Sequence, residues 1–306
     1  MPTSAGASPD PADGAGRPCC SVVILTRNRG HFLPRTLRTI LDHPGPTREI
    51  LLFDNGSTDN TRAVAAEFPV RYFSMPAAGL AEMRQRGVEL ARGEFVIMCD
   101  DDCLPRPGWL EKFVDRFRQE RSLALLGGRI INIGFEGTEK GIGRFGRNGQ
   151  IILGAPPEQA SYFGCANLAL RRSALLPWGG FDPFLISGYE EGDLASSLLA
   201  LGYQLSYAPE AAVEHHNVSA TQRNRWRWHH SGVMRVYFFL KHYRPRGLAW
   251  VSFLAIECWL QLKTLLKRSQ QPFPQRLLAV GAIFLSLPYV VVLSGRARKR
   301  LLQATA

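Results

Sequence analysis

The stretch FVIMCDDDCLP, residues 95–105, sets five apolar residues against three consecutive aspartates and then closes on a proline. Like charges side by side repel one another and cost stability. A chain that keeps Asp100, Asp101 and Asp102 together at the end of a buried strand therefore calls for a positive partner. In an extended segment alternate side chains share a face, so Asp100 and Asp102 are expected to point one way and Asp101 the other. Mg²⁺ and Mn²⁺ take oxygen ligands, commonly one or two carboxylates plus substrate phosphates. A D-x-D pattern at a strand end suits a divalent cation that also grips a diphosphate. A solvated acidic turn, which Pro105 would fit, is the alternative, but turns rarely follow five buried residues with three acids.

Outward from this stretch the pattern repeats. CSVVILTRN (20–28) is a β-branched apolar run that ends in polar residues, as a buried parallel strand does. EILLFDNGS (49–57) has the same form, VRYFSM (70–75) is a third strand and EFVIMC (94–99) the fourth. Between them Phe32, Leu33, Leu37, Ile40 and Leu41 mark one helix. TDNTRAVAAEF is a second, which Ser57 or Thr58 can cap. Leu80, Met83, Gly87 and Leu90 form one face of a third, stopped by Gly93. This alternation predicts an α/β fold: a parallel sheet with helices on both sides. In such sheets ligands bind beyond the carboxyl ends of the strands, where TRN, DNGSTD and DDD all fall. Asp54, Asn55 and the aspartates are expected along one edge. Further on, GWLEKFVDRFRQE reads as an amphipathic helix and LALLGGRIINI as a strand. Residues 134–160 read as a glycine-rich loop region beside the site. FGCANLALRRSAL is a strand running into a helix, GYEEGDLASSLLALGY a helix that opens on acids, and QLSYAPEAAVEHH a last strand and turn.

Length and composition, 306 residues with 45% hydrophobic and 21% charged, fit one large α/β domain with an appendage, or two domains. Residues 1–18 are a Pro/Gly/Ala/Ser segment with no apolar run, expected to be disordered and not a secretory signal. The main domain is expected over 19–222 and a basic, apolar helical region over 223–306. The net charge of +11 is unevenly spread: residues 217–306 hold 15 of the 37 Lys and Arg and a single acid, Glu257. That argues against a uniformly basic nucleic-acid binder and for a slightly acidic body with a basic attachment surface. The six cysteines, at 19, 20, 99, 103, 165 and 258, show no zinc-finger spacing and read as reduced thiols of a cytosolic compartment.

Five stretches, SVVILTRNR, LLFDNGSTDNT, AGLAEMRQRGVELARGEFVIMCDDDCLPRPGWL, FGCANLALRRSALLPWGGFD and GYEEGDLASSLLALGYQLSYAPEAAVEHH, occur in this order over about residues 20–216. Together they resemble the family 2 glycosyltransferases, inverting enzymes of the GT-A fold, a Rossmann-like mixed sheet flanked by helices. The resemblance implies a nucleotide-sugar donor under the strand ends. It implies Thr26, Arg27 and Asn28 beside the nucleotide, and Asp54 hydrogen-bonded to the base or ribose. Gly79, Arg84 and Asp101 would also bind the donor, with Arg84 near the base and diphosphate. Asp100 and Asp102 would hold Mn²⁺ or Mg²⁺ on the diphosphate, and His215 would complete that metal site, with His216 as the fallback.

YEEGD matches the family's acceptor-side acidic motif, usually Glu-Asp with a further Asp two residues on. Glu191 takes the place of the catalytic base, flanked by Glu190 and Asp193. Glutamate stands where aspartate is usual, so Glu190 and Glu191 are both open as the base. Acids at a helix start are stabilised as anions by the dipole, while neighbouring acids push pKa values upward. The implied reaction is a single inverting displacement at the anomeric carbon by a glycan or lipid-linked acceptor hydroxyl, in cell-surface polysaccharide biosynthesis. A nucleotidyltransferase of the same fold is one rival, although ILTRNRGHF lacks the usual Gly-rich, lysine-containing opening loop. A non-catalytic membrane-associated scaffold is the other.

In the C-terminal third, RNRWRWHH (223–230) interleaves Arg and Trp. Nucleic-acid sites use that composition too, but no RNA-binding pattern accompanies it, and both residue types favour the bilayer interface. GLAWVSFLAIECWLQL (247–262) contains Glu257 and Gln261. LLAVGAIFLSLPYVVVL (277–293) has 17 uncharged residues, with Arg276 before it and RARKR (296–300) after it. About 20 apolar residues are usual for a span. The preferred reading is in-plane or re-entrant helices on the cytoplasmic leaflet of the cell membrane, their cations meeting anionic headgroups. A helical hairpin through the bilayer and a buried soluble helical pair are the alternatives.

Overall fold

The computed structural model describes residues 18–134, 141–146, 149–186, 188–216, 225–243, 247–266 and 273–303; most of the N-terminal segment read as disordered lies outside them. The chain forms two compact units. One is built from residues up to Arg144, with Leu153–Ile186 and the stretch from Glu190; the other from Phe145–Ile152, the residues just before Glu190, and the C-terminal helices.

In the first unit β1 (Cys20–Thr26), α1 (Leu33–Asp42), β2 (Arg48–Asp54), α2 (Thr61–Ala65), β3 (Arg71–Ser74), α3 (Leu80–Leu90) and β4 (Phe95–Asp100) alternate as the sequence predicts. The chain then runs through β5 (Cys103–Pro105), α4 (Trp109–Gln119), β6 (Leu123–Asn132), β7 (Ile142–Phe145), β8 (Ile151–Leu153), β9 (Tyr162–Phe163), β10 (Asn167–Arg171), α5 (Glu190–Ala200) and β11 (Gln204–His215). Eight strands make one sheet in the order β3-β2-β1-β4-β10-β6-β11-β5. Its first half is parallel. The second half is mixed, as the resemblance implies: β10 runs antiparallel to β4 and β6, and β5 antiparallel to β11.

The core lies against both faces of this sheet. Leu33, Leu37 and Ile40 of α1 are buried as expected. Helix α3 departs from its expected face: Ala81, Met83, Arg84, Gly87 and Val88 are the buried positions. Gly87 sets that orientation, because a Cβ there would lie 2.6 Å from Cγ1 of Val23 on β1. The α2 cap also differs. Its N-cap, Asn60, makes no side-chain cap bond; instead Asp59 accepts from the Thr61 amide at 3.0 Å and the Gly30 amide at 3.1 Å. After β10 there is a single 3₁₀ turn, Arg172–Ala174, rather than a helix. The region read as loop over 134–160 holds β7 and β8 in its described part. Asn167 locks the mixed half together. It accepts from the Trp109 indole at 2.8 Å and donates to the carbonyls of Arg129 and Ala211 at 2.9 and 2.8 Å.

The second unit contains α6 (Arg225–His242), α7 (Leu248–Leu266) and α8 (Phe273–Gln303). The side chains of RNRWRWHH lie outside the described set. Helix α8 runs 31 residues, straight through Pro288, or about 46 Å at 1.5 Å per residue. It extends well beyond the 17-residue apolar run and takes in the flanking cations. Its stretch Arg276–Gln303 is long and apolar enough to cross a membrane. Two of those cations serve helix ends: Arg298 donates to the carbonyls of Lys241 and His242, both at 2.9 Å, and Arg276 to that of Leu265. Phe238, Phe239 and Phe253 are buried in this unit, yet polar groups are buried as well and large apolar side chains are exposed. Glu257, Gln261 and Ser294 are buried, with Glu257 paired to Arg235, while Leu248 is 86% exposed and Leu285 85% exposed.

Candidate active site

The parallel strands deliver their polar ends to one edge. Thr26 stands opposite Asp54 in the β1–β2 register, Asp54 opposite Ser74, and Leu25 opposite Asp100. Asp54 is buried and braces this edge: Oδ1 accepts from the Ser57 amide and hydroxyl at 2.8 and 2.7 Å, and Oδ2 from the Tyr72 hydroxyl at 2.6 Å. Asn28, at φ 55°, ties the two loops, donating its amide to Ser57 Oγ and accepting from the Thr58 amide, both at 2.8 Å. That occupies the two residues expected to cap α2. Arg27 is exposed. Gly79 is the N-cap of α3, where a Cβ would sit 3.1 Å from the Ile186 Cα.

Strand β4 ends at Asp100, and Asp101 and Asp102 form the turn into β5. The alternation that would put Asp100 and Asp102 on one face stops there. Asp101 turns inward: Thr26 Oγ1 donates to its Oδ2 at 2.7 Å and Thr36 Oγ1 to its carbonyl at 2.8 Å. Burial pushes the Asp101 carboxyl up to about 7, with Asp102 and Asp100 adding to the rise and the Thr26 bond and Arg29 opposing it. Arg29, which the sequence reading passed over, leans on two members of the triplet, 3.7 Å from Asp101 Oδ1 and 3.6 Å from Asp102 Oδ2.

The antiparallel β5–β11 pairing sets His215 opposite Cys103, and so brings the turn to the end of the last strand. His215 Nε2 lies 3.1 Å from Asp102 Oδ1. Burial alone would lower the His215 pKa; the Asp102 hydrogen bond and the charges of the three aspartates raise it instead. Asp102, Cys103 and His215 bring one potential ligand atom each within 4.8 Å of one another. The Cys103 thiol is pushed far up by burial, then by Cys99 and the aspartates, so the carboxylate and the imidazole are the competent donors. An oxygen–nitrogen pair of this kind fits Mn²⁺ or Mg²⁺. Asp100 is outside this trio, yet its charge reaches both His215 and Arg84. His216 donates its amide to the Asp102 carbonyl at 3.0 Å, and its ring packs on Phe32.

The charge of Asp100 also reaches a second group of acids, through Arg84. Helix α5 opens with Glu190, Glu191 and Asp193 in its first turn, directly after Tyr189, a bulky residue held at φ 68°. Arg84 is buried on α3 and forms an ion pair with Glu190; it is no surface arginine. Asp193 is fully buried. Glu191 keeps apart from the ion pair. Its Oε1 accepts from the Tyr162 hydroxyl at 3.1 Å, and its Oε2 is buried with no hydrogen-bond partner among the described residues. Burial and the Glu190 charge push Glu191 up to about 7, against the pull of Arg84 and the Tyr162 bond. The Cys165 thiol, raised by burial, faces Arg84, Glu191, Glu190 and Asp100. All six cysteines are free thiols. Tyr162, Cys165 and Arg29 had no signal in spacing alone; their places depend on which strands the sheet brings together.

Over 231 residues, 72% of this chain, the sequence is 30% identical to a pre-mycofactocin glycosyltransferase of Mycobacterium tuberculosis. The chain spans 47% of that protein, about half the length of the curated relative it matches. Among solved structures, S. aureus TarS 1-349 in complex with UDP-GlcNAc superposes with a TM-score of 0.61 at 15% identity, covering 94% of this chain and 89% of that one. GalNAc-T7 with UDP, GalNAc and Mn²⁺ gives 0.58 at 18% identity, covering 78% and 54%. These likenesses show the fold, which is GT-A. The family model described as Glycosyl transferase family 2 matches residues 21–176, and the chain belongs to that family of glycosyltransferases.

Proposed function

We propose that this chain moves a glycosyl group from a nucleoside-diphosphate sugar to an acceptor hydroxyl with inversion, using Glu191 as the base and a divalent cation beside Asp102 and His215. The observation that carries the reading is the pairing of His215 with Asp102 at the end of the sheet, together with a buried Glu191 oxygen that has no partner among the described residues, the charge of Asp100 reaching both His215 and Arg84. A metal-type pair and an acid–arginine group therefore adjoin one strand end, as a displacement with a departing diphosphate requires. Relatives of the same fold were crystallised with UDP-GlcNAc and with UDP and Mn²⁺.

Glu190 is committed to Arg84; Glu191 has a buried oxygen with no partner among the described residues and a pKa near neutrality, which suits a general base. Its Oε2 takes the acceptor's proton as the acceptor oxygen bonds the anomeric carbon. The bond from that carbon to the diphosphate oxygen breaks, and its electron pair leaves with the nucleotide. A Mn²⁺ or Mg²⁺ ion held by Asp102 and His215, with Asp100 near, would supply charge neutralisation for that leaving group. Asp54, Asn28 and Thr26 keep the donor-side loops in register, Gly79 lets the chain pass close to Ile186, and Arg27 stands exposed at the mouth of β1 for the nucleotide phosphates.

The second unit supports association with a membrane. Large apolar side chains such as Leu248, Trp259 and Leu285 are exposed while a charged pair, Arg235 and Glu257, is buried, a combination that suits lipid surroundings. A lipid-linked or cell-surface glycan acceptor at the cytoplasmic face accords with that placement. The test compares donor hydrolysis in Mn²⁺ for the full chain, Asp102→Asn and Glu191→Gln. Both substitutions should abolish most turnover; full turnover in both would sink the assignment.

A further inference from the structure

Tyr162 is absent from every role above, yet its placement is tightly fixed. Strand β9 is two residues long and pairs with β7, with Tyr162 opposite Gly143. The Ser161 amide donates to the Gly143 carbonyl at 2.9 Å and the Gly164 amide to that of Gly141 at 2.8 Å. Phe163 is driven into the core over Gly127, where any Cβ would fall 2.2 Å from its ring. Successive strand residues point to opposite faces, so burying Phe163 turns Tyr162 toward α5. Its hydroxyl meets Glu191 Oε1 at 3.1 Å.

We propose that Tyr162 is a positioning residue for Glu191: it holds Oε1 so that Oε2, the buried oxygen without a partner, is the one presented to the acceptor hydroxyl. This rests on the reading of Glu191 as the base. An unrestrained glutamate has three rotatable bonds and would spread its carboxylate over many orientations; a single charge-assisted bond from a fixed phenol selects one. The hydroxyl is a donor throughout the working pH range, because burial, and then the Glu191 charge, push the Tyr162 pKa well above its ordinary value. The other ionisable neighbours of Glu191 are Glu190 on its own helix, Arg84 on α3 and the Cys165 thiol.

The test uses the full chain with ¹³C-labelled glutamate carboxyls, as wild type, Tyr162→Phe and Glu191→Gln. The resonance missing in Glu191→Gln identifies the carboxyl that titrates near 7. In Tyr162→Phe that titration should move up by about one pH unit, the scale of a lost charge-assisted hydrogen bond. The acid limb of UDP- or GDP-sugar hydrolysis in Mn²⁺ should move with it, lowering turnover about tenfold at pH 6 and leaving the KM for donor in place. An unmoved titration and limb, with Glu191→Gln inactive, overturns the proposal while the base reading stands. Turnover retained by Glu191→Gln overturns the base reading and the proposal with it. A Tyr162→Phe chain with wild-type circular dichroism and melting temperature shows that any shift is not a loss of fold.

Discussion

His215 Nε2 sits 3.1 Å from Oδ1 of Asp102, joining the end of the last strand of the sheet to the turn after its fourth. The contact exists because β5 pairs antiparallel with β11 at the sheet edge. It singles out Asp102 among the three aspartates and His215 over His216. In Mn²⁺ titrations followed by electron paramagnetic resonance, His215→Gln and Asp102→Asn should each weaken binding at least about tenfold. Asp100→Asn should weaken it less, and His216→Gln should leave it near wild type. Equal losses for His215→Gln and His216→Gln would remove the case for this pair.

The Glu191 carboxyl carries opposite consequences for activity and stability. Its pKa rises from an ordinary 4.5 to about 7 in the fold, so between those values the folded chain holds a proton that the unfolded chain has released. The stability tied to that proton is full below about pH 4.5 and is lost as pH rises through 7. Turnover runs the other way, since the base must be ionised, and should climb through pH 7. Glu191→Gln should therefore lose about 10²–10⁴-fold in kcat. It should also melt a few degrees higher than wild type at pH 8, with the gap closing at pH 5. A variant no more stable at pH 8 would show that burial of the charged carboxylate costs nothing.

Arg84 and Glu190 show how far the sequence could be read. The motifs on both are visible in the chain, as are α3 and α5, but the face of α3 is not. Leu80 and Leu90 suggest one face; the tight approach of Gly87 to Val23 rotates the helix so that Arg84 goes inward. The alternating strands and helices up to Asp100 were legible because each strand carries its own apolar run and polar end. From β5 onward the pairing is between strands distant in sequence, and periodicity holds no information about partner or direction. Asp100 and Asp102 were both legible as candidate ligands, but Arg29 and Tyr162 became visible only once the sheet had gathered them.

Breaking the Arg84–Glu190 pair from one side strands a buried charge. Arg84→Met should cost about 3–5 kcal/mol in urea unfolding, because Glu190 then loses its ion pair while its Oε2 already has no partner among the described residues. Arg84→Met combined with Glu190→Leu should recover much of that loss, since no ion is left to desolvate. Additive losses in the double variant would mean that the two side chains do not act as a pair.

The exposed apolar side chains of the C-terminal helices give the last prediction. Leu248, Val251, Trp259, Leu262, Leu285 and Tyr289 are exposed, while Glu257 lies buried against Arg235. A helix pair that only rests its cations on lipid headgroups should release in 1 M salt, where the screening length falls to about 3 Å. A pair with its apolar face in the acyl layer should not, because burial of hydrocarbon does not depend on charge. The full chain should float with phosphatidylglycerol–phosphatidylethanolamine vesicles and stay bound in 1 M NaCl. Leu262→Asp with Leu285→Asp should bind at low salt and release at high salt, since the cations of 296–300 remain but the apolar contact is broken. Wild-type release in 1 M NaCl would place these helices on the headgroups, and the exposed apolar face would then need another partner.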